Sequence, residues 1–201
     1  MADTLGFTRL LVAIANFDHK AAVDLLNATP SLATARLARR DEFFLAERHA
    51  QVYEGDTALH AAAFSYDRQM ARDLITRGAD IRARNRRGAE PLHAAMIGAP
   101  GSASWNPACQ RDAIVYLIEA GADPDAAAAG GVTPLHRAVR NRCSAAVEAL
   151  LRAGADPRLP NDRGSTASDL ARWTTGRGGT GSAAARAEQR IITELLEIST
   201  G

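Results

Sequence analysis

The sequence predicts an all-α protein, an α-solenoid of paired antiparallel helices with β-turn or finger connections. Three observations lead to this prediction. Similar segments recur at intervals of 33, 43 and 33 residues, alanine supplies much of the 46% apolar content, and glycines close helix-like stretches at repeating positions. Alanine has the highest intrinsic helix propensity, and recurrence at periods of about 20–50 residues is typical of stacked repeat units.

Each repeated unit opens with a short motif, which reads TALHAAA from Thr57, EPLHAAM from Glu90, TPLHRAV from Thr133 and TASDLAR from Thr166. A threonine hydroxyl accepts a hydrogen bond from an orphan backbone N–H at a helix start, and proline is tolerated at the first helical position. The motif therefore predicts the start of a first, inner helix. The stretch TRLLVAIANF from Thr8 fits the same frame without the proline and histidine.

A second motif closes the units, as LITRGAD from Leu74, LIEAGAD from Leu117 and LLRAGAD from Leu150. The paired aliphatic residues predict the buried face of a second, outer helix. That helix would end at the glycine, which adopts a left-handed conformation at little cost. Together the two motifs resemble the T-P-L-H and L-L-x-x-G-A-D signatures of ankyrin repeats, and the chain is identified as a bacterial-type member of that family from about Thr8 onward.

The frame predicts one domain over residues 1–201, with degenerate capping repeats at its two ends. An insertion on the finger side occupies residues 34–50, with a helical turn expected around EFFLAERHA. Loops inserted between an inner and an outer helix occupy residues 98–110 and 174–182. The repeat between them has a short turn, so the two long loops would flank a notch. The five predicted repeats span about 5–33, 51–83, 84–126, 127–159 and 160–200.

Three histidines, His60, His93 and His136, occupy the same place in successive repeats. Neighbouring helices lie about 8–10 Å apart, whereas zinc needs each nitrogen at about 2.0–2.1 Å, so the three cannot share one ion. We expect each histidine to bond to nearby backbone and to tie adjacent repeats together. Cys109 and Cys143 are expected to be free thiols. No metal site, cofactor or catalytic residue is predicted.

The eighth position of the frame supplies candidate binding residues, because the family resemblance implies that it faces the concave groove. Exposed apolar patches mark binding sites, and tryptophan and arginine are enriched at hot spots. Two interpretations stay open: the row binds a partner, or the long loops bury it, with Trp105 packed against it. The row reads Ala15, Phe64, Ile97, Arg140 and Trp173.

A basic cluster of Arg84, Arg86 and Arg87 crowds one finger. It predicts either a solvated tip or a patch for an acidic protein surface. Nucleic acid fits less well, since the cluster is short and lacks interleaved aromatic residues for base stacking. A further arginine, Arg177, lies in the glycine-rich loop TGRGGTGS, which lacks the G-x-x-x-x-G-K-[ST] order of a phosphate loop.

These features predict a non-enzymatic, cytoplasmic, monomeric scaffold that binds a protein partner, one with an acidic patch, through finger tips and the concave inner-helix face. A net charge of +1 and the lack of an apolar run of about 18 residues point to neither nucleic acid nor a membrane. The alternative is a small-ligand or anion site, including a catalytic one, in the notch between loops 98–110 and 174–182. Trp105, Arg140 and Arg177 would surround it.

Overall fold

The computed structural model describes residues 4–38, 41–45, 50–98, 100–101, 105–172 and 182–200. The helices of these ranges alternate between two rows, which we call inner and outer. The inner helices are α1 (Thr4–Ala15), α3 (Ala58–Phe64), α5 (Pro91–Ala95), α7 (Pro134–Arg140) and α9 (Ala167–Arg172). The outer helices are α2 (His19–Ala28), α4 (Arg68–Thr76), α6 (Pro107–Glu119), α8 (Ser144–Arg152) and α10 (Ala183–Thr200).

The two rows stack into one solenoid. Each inner helix contacts the next inner helix, and from α4 onward each outer helix contacts the next outer helix. No helix pair could bury its apolar face alone, so a continuous core runs through the stack. The prediction of an all-α solenoid is therefore confirmed. Both repeated motifs contribute fully buried leucines to this core, namely Leu59, Leu74, Leu92, Leu117, Leu135 and Leu150.

The motif histidines tie successive helix pairs together. The Nδ1 atom of His60 accepts the backbone N–H of Thr57 at 3.2 Å, so the ring proton resides on Nε2, which donates to the Ala89 carbonyl at 3.0 Å. Burial lowers the pKa of His60, which keeps the ring neutral. The predicted structural role is confirmed. The same bond recurs from His93 to the Val132 carbonyl at 3.1 Å and from His136 to the Ser165 carbonyl at 2.9 Å.

The first helix begins earlier than the frame predicts. Helix α1 starts at Thr4, and Thr8, the frame's starting residue, lies inside it with its hydroxyl donating to the Thr4 carbonyl at 3.0 Å. Arg9 stands where the motifs from Glu90 and Thr133 have proline, so no missing N–H or ring clash stops the helix from extending toward the N-terminus. Thr8 is therefore not the helix N-cap that its place in the frame suggests, although the predicted first repeat, about 5–33, begins close to Thr4.

Two short strands lie in and just after the described part of the insertion at residues 34–50. Strand β1 (Phe43–Leu45) pairs antiparallel with β2 (Ala50–Val52), and a short 3-10 helix, Pro30–Ala33, precedes them. The helical turn predicted around EFFLAERHA is wrong for residues 43–45, where the aromatic pair favours an extended strand, and residues 46–49 lie outside the described residues. At the base of the insertion, the Leu37 N–H donates to the Asp56 carbonyl at 2.9 Å.

Three short turns between inner and outer helices share one geometry. In each, a backbone N–H donates to the carbonyl five residues earlier, near the end of the inner helix. The residue before the donor adopts a left-handed conformation, with φ of 58° at Phe17 and 57° at Tyr66 and Arg142. The bonds are Asp18 to Ala13 at 2.9 Å, Asp67 to Ala62 at 2.9 Å and Cys143 to Ala138 at 3.1 Å.

The two helix pairs with long loops replace that backbone donor with a glutamine side chain. Gln110 Nε2 donates to the Ala95 carbonyl at 2.8 Å, and Gln189 Nε2 donates to the Ala171 carbonyl at 2.9 Å. Both acceptors occupy the same place in the frame as the acceptors of the short turns. The amide side chains therefore let each loop lengthen without leaving an inner-helix carbonyl unpaired.

The third repeat's loop is shorter than the predicted range 98–110. Helix α6 begins at Pro107, and the Asn106 side chain caps it by accepting the N–H groups of Ala108 and Cys109, both at 3.1 Å. Asparagine before proline is a strong helix start, so the last four residues of the predicted loop are helical instead. Of the predicted loop 174–182, only Ser182 lies within the described residues.

Candidate protein-binding surface

The eighth-position row is partly exposed. Ile97 is 42% exposed, Arg140 is exposed and Phe64 is half-buried. Ala15 does not belong to this surface, because it is 1% exposed where α1 packs against its neighbours. Trp173 lies outside the described residues. The row thus presents an apolar side chain just after inner helix α5 and a guanidinium at the last residue of the next inner helix, α7.

Trp105 contributes to internal packing. The half-buried indole contacts the core, and its Nε1–H donates to Gln110 Oε1 at 2.9 Å. A Cβ added at Gly98 would lie 2.8 Å from Trp105 Nε1 and 2.5 Å from Cys143 Sγ, so indole, thiol and glycine meet closely. Because the indole N–H already donates to Gln110 within the chain, it does not serve as a hydrogen-bond donor to a partner.

The loop after α5 reaches toward the last helix pair. A Cβ added at Gly101 would lie 3.4 Å from Ser182 Oγ and 3.6 Å from Ala184 Cβ. Glu188 of α10 also accepts the N–H of Ser144 at 2.9 Å and so caps α8, whose own N-cap residue supplies no side-chain bond. These contacts brace the region of the predicted notch. Arg177 lies outside the described residues.

The described cavities lie elsewhere. One cleft of about 250 Å³ is lined by residues of the last helix pair, such as Thr166 and Leu196. Another, of about 330 Å³, is lined by residues of the first pair, such as Thr8 and Leu25. Neither cleft is lined by the loop after α5. Within the described ranges, no group of three or more histidine, cysteine or acidic residues is placed to hold a metal ion.

Two of the three arginines predicted as a basic patch form ion pairs within the chain. The Arg84 Nε atom lies 3.0 Å from Glu90 Oε1, and the Arg86 guanidinium binds Glu42 through two nitrogens. Glu90 is 3% exposed, and burial raises its pKa while Arg84 opposes that shift. Two of the three positive charges predicted for this finger are thus paired within the chain, one with Glu42, 44 residues away, and one with Glu90, six residues away.

Arg87, the third of these arginines, has no carboxylate within ion-pair distance among the described residues. Its Nη1 atom donates to Tyr53 Oη at 3.1 Å, and its guanidinium carbon lies 5.0 Å from the Tyr53 ring centroid. The Arg86 guanidinium carbon also lies 5.0 Å from that centroid. Cation–π contacts of this kind hold the arginines in place without removing their charge.

Arg137, a half-buried residue beside this surface, was not among the residues predicted from the sequence. It lies on α7, one turn before Arg140, and its Nη1 atom donates to the His93 carbonyl at 3.2 Å. Burial lowers the pKa of the Arg137 guanidinium, and the charges of Arg140 and Arg87 lower it further. The sequence did contain one indication of it: the two preceding repeats have alanine at the position that Arg137 occupies.

Comparison with known proteins agrees with this geometry. The family model described as "Ankyrin repeats (many copies)" matches residues 117–171, and the one described as "Ankyrin repeat" matches residues 54–86. The chain is 42% identical over 117 residues to "Ankyrin repeat and SOCS box protein 16" of Mus musculus. It is 40% identical over 118 residues to the protein of that name in Homo sapiens.

These alignments cover 57% and 58% of this chain and 25% of each relative, so the chain spans about a quarter of the length of the curated relatives it matches. Stacked helix pairs joined by fingers define the class of α-solenoid repeat proteins. This chain is an ankyrin-repeat protein. The number of five repeats and the bacterial type stay predictions.

The family assignment carries a coarse functional statement. Ankyrin repeats form protein–protein interaction domains, which are generally non-enzymatic, and the matching family models indicate no catalytic family. None of the helices in the described ranges combines the length and the apolar character that crossing a bilayer requires.

Proposed function

We propose that the chain is a non-enzymatic, monomeric scaffold that binds a protein partner through its finger tips and its concave inner-helix face. The observation that supports this proposal most is Ile97, a large aliphatic side chain that is 42% exposed two residues after the end of α5. Phe64 and Arg140 hold the equivalent place in the neighbouring repeats. An apolar centre flanked by a guanidinium is the composition that protein-binding hot spots favour.

The surface would bind with little ordering cost. The histidine bonds between successive helix pairs, such as His60 to Ala89 at 3.0 Å, fix the relative positions of the inner helices before any partner arrives. A preorganised surface loses less conformational entropy on binding than a flexible one. The two free cysteines, one exposed and one buried, support a reducing, cytoplasmic location.

The test compares Ile97→Glu with Val115→Glu. Val115 lies on outer helix α6 and is 38% exposed, so it matches Ile97 in exposure but not in location. The wild-type chain would first capture partners from a lysate of its source cells, and the affinity of a purified partner would then be measured by calorimetry. We expect Ile97→Glu to weaken binding by about tenfold or more and Val115→Glu to leave it unchanged.

Equal losses in the two variants, or none in either, would overturn the proposed location of the surface. A thermal melt of each variant checks that the charge has not unfolded the stack.

A further inference from the structure

We propose that Arg87, Arg137 and Arg140, together the arginine cluster, receive an acidic segment of the partner protein. This inference rests on the proposed function and names the chemistry of the partner. It also moves the predicted acidic contact away from Arg84 and Arg86, whose charges are paired within the chain.

The arginine cluster links one finger to two inner helices. Arg137 and Arg140 are three residues apart on α7, so they project from the same side of that helix. The Arg137 side chain reaches across to α5, where it bonds the His93 carbonyl at 3.2 Å. Arg87 lies in the finger before α5, against Tyr53. A peptide that runs between finger and inner helices would meet all three guanidiniums.

The small residues beside the cluster leave space for such a peptide. Arg137 occupies the fifth position of the frame, which in the two preceding repeats holds Ala61 and Ala94. Both alanines are half-buried, so they offer a shallow surface in front of the guanidiniums. An extended segment could lie over the alanines with its acidic side chains directed at Arg137 and Arg140.

The charges of the cluster are unpaired within the described part of the chain. No carboxylate there lies within ion-pair distance of Arg87, Arg137 or Arg140, whereas Arg84 and Arg86 each have one. The only hydrogen bonds that the described residues offer the cluster's guanidiniums are to the uncharged oxygens of Tyr53 and His93. Like charges one helical turn apart repel each other, so an acidic side chain between them would relieve that repulsion.

Desolvation of Arg137 favours the same partner chemistry. Burial is the main cause of its lowered pKa, and Arg140 and Arg87 add to the shift while Tyr53 and Asp56 oppose it. A partly buried charge without a counter-ion is unfavourable, and a carboxylate satisfies the planar guanidinium fork through two parallel hydrogen bonds. The protein thus holds a preformed positive site whose energy improves when an anion arrives.

A protein partner fits this site better than a nucleic acid does. Base stacking requires a free aromatic face, and the ring beside the cluster, Tyr53, is already in contact with the guanidiniums of Arg86 and Arg87. The carboxylates of an extended acidic segment need only the guanidinium edges.

The test uses a fluorescein-labelled oligoglutamate peptide as the probe and measures fluorescence anisotropy at low and physiological salt. We expect the full chain to bind it, with affinity falling as salt rises because exposed charges are screened. Arg140→Gln should weaken binding by about tenfold, the loss of one charge-assisted hydrogen-bonded pair. Arg137→Gln should act similarly, and Arg140→Lys should recover only part of the affinity, because lysine lacks the fork.

The matched control is Arg72→Gln, which removes the same charge from an exposed position on outer helix α4. It should leave binding unchanged. Arg140 is itself exposed, so Arg140→Gln remains informative if Arg137→Gln alters the fold in a thermal melt. Equal losses in the Arg72 and Arg140 variants would overturn the inference. So would absence of probe binding, or tighter binding of a single-stranded oligonucleotide than of oligoglutamate.

The failure of this inference is distinguishable from the failure of the proposed function. A partner whose binding depends on Ile97 but is insensitive to salt and to Arg140→Gln would overturn the acidic contact alone. A partner insensitive to Ile97→Glu would overturn the proposed surface instead.

Discussion

The three motif histidines act as neutral hydrogen-bond bridges, and His93 shows why they must stay neutral. Its Nδ1 atom accepts the Glu90 N–H at 3.2 Å, a bond that a protonated ring could not accept. The side chain is fully buried, and burial together with the charge of Arg137 lowers its pKa to about 4. A histidine at this position therefore makes the stack sensitive to acid, although the sequence shows no acid-labile site.

The first prediction concerns pH. Because the pKa of His93 is lower in the folded state than the ordinary value of 6.5, the unfolded chain takes up a proton first as pH falls. Stability is therefore fully present above about pH 6.5 and declines as pH falls toward about 4, by about 3 kcal/mol from this residue. Urea unfolding across this range would show the decline, and His93→Asn should flatten part of it. An unchanged slope in that variant would contradict the prediction.

At the scale of the elements, the inner-to-outer connections explain how this stack tolerates long loops. The short turns close with a backbone N–H, and the long ones close with the amide of Gln110 or Gln189. Gln110 also accepts the Trp105 N–H at 2.9 Å, so the loop residue and the helix residue satisfy each other. The glutamine is 0% exposed, which makes each of these bonds expensive to lose.

The second prediction follows from this bond. Gln110→Met keeps the side-chain length but leaves the Ala95 carbonyl and the Trp105 N–H without their partner. We expect a loss of about 1–3 kcal/mol in the free energy of unfolding, measured in urea. Gln69→Met, at an exposed position on α4, is the matched control and should change stability by less than about 0.5 kcal/mol. Similar losses in both variants would show that the buried amide has no special role.

The sequence predicted the helices better than it predicted their connections. Recurring threonine, proline, leucine and glycine positions report local capping and burial, so they located the inner and outer helices. The hydrogen bond from the Gln110 side-chain amide to the Ala95 carbonyl joins positions 15 residues apart. The Arg86–Glu42 ion pair joins positions 44 residues apart. No periodicity reports such contacts. For the same reason the sequence grouped Arg84 and Arg86 with Arg87 in one basic patch and did not single out Arg137.

At the scale of the whole molecule, the core is one continuous layer between the two rows of helices. Leu117 and Leu150 are 0% exposed, and they lie on neighbouring outer helices, α6 and α8. Each therefore stabilises an interface between units as well as its own helix. A cavity at either position weakens the contact on which the adjoining pair depends.

The third prediction tests this interdependence. Leu117→Ala and Leu150→Ala should each reduce the free energy of unfolding by about 2–5 kcal/mol, because each removes buried volume at an interface between repeats. Urea unfolding followed by circular dichroism measures the change. Leu5→Ala, where the side chain is 73% exposed, provides the comparison and should have little effect. A loss below about 0.5 kcal/mol at Leu117 or Leu150 would contradict the proposed role of these leucines.

The close approach of Gly101 to the start of α10 changes how this array should unfold. A repeat array with only nearest-neighbour contacts behaves as a one-dimensional chain of units that fray independently from either end. Here Gly101, in the loop after α5, lies so close to Ser182 and Ala184, two helix pairs further along, that an added Cβ would contact both, and Glu188 caps α8. The last three helix pairs should therefore open as one cooperative unit. Amide hydrogen exchange should be slower in α10 than in α2, with local opening confined to the N-terminal end.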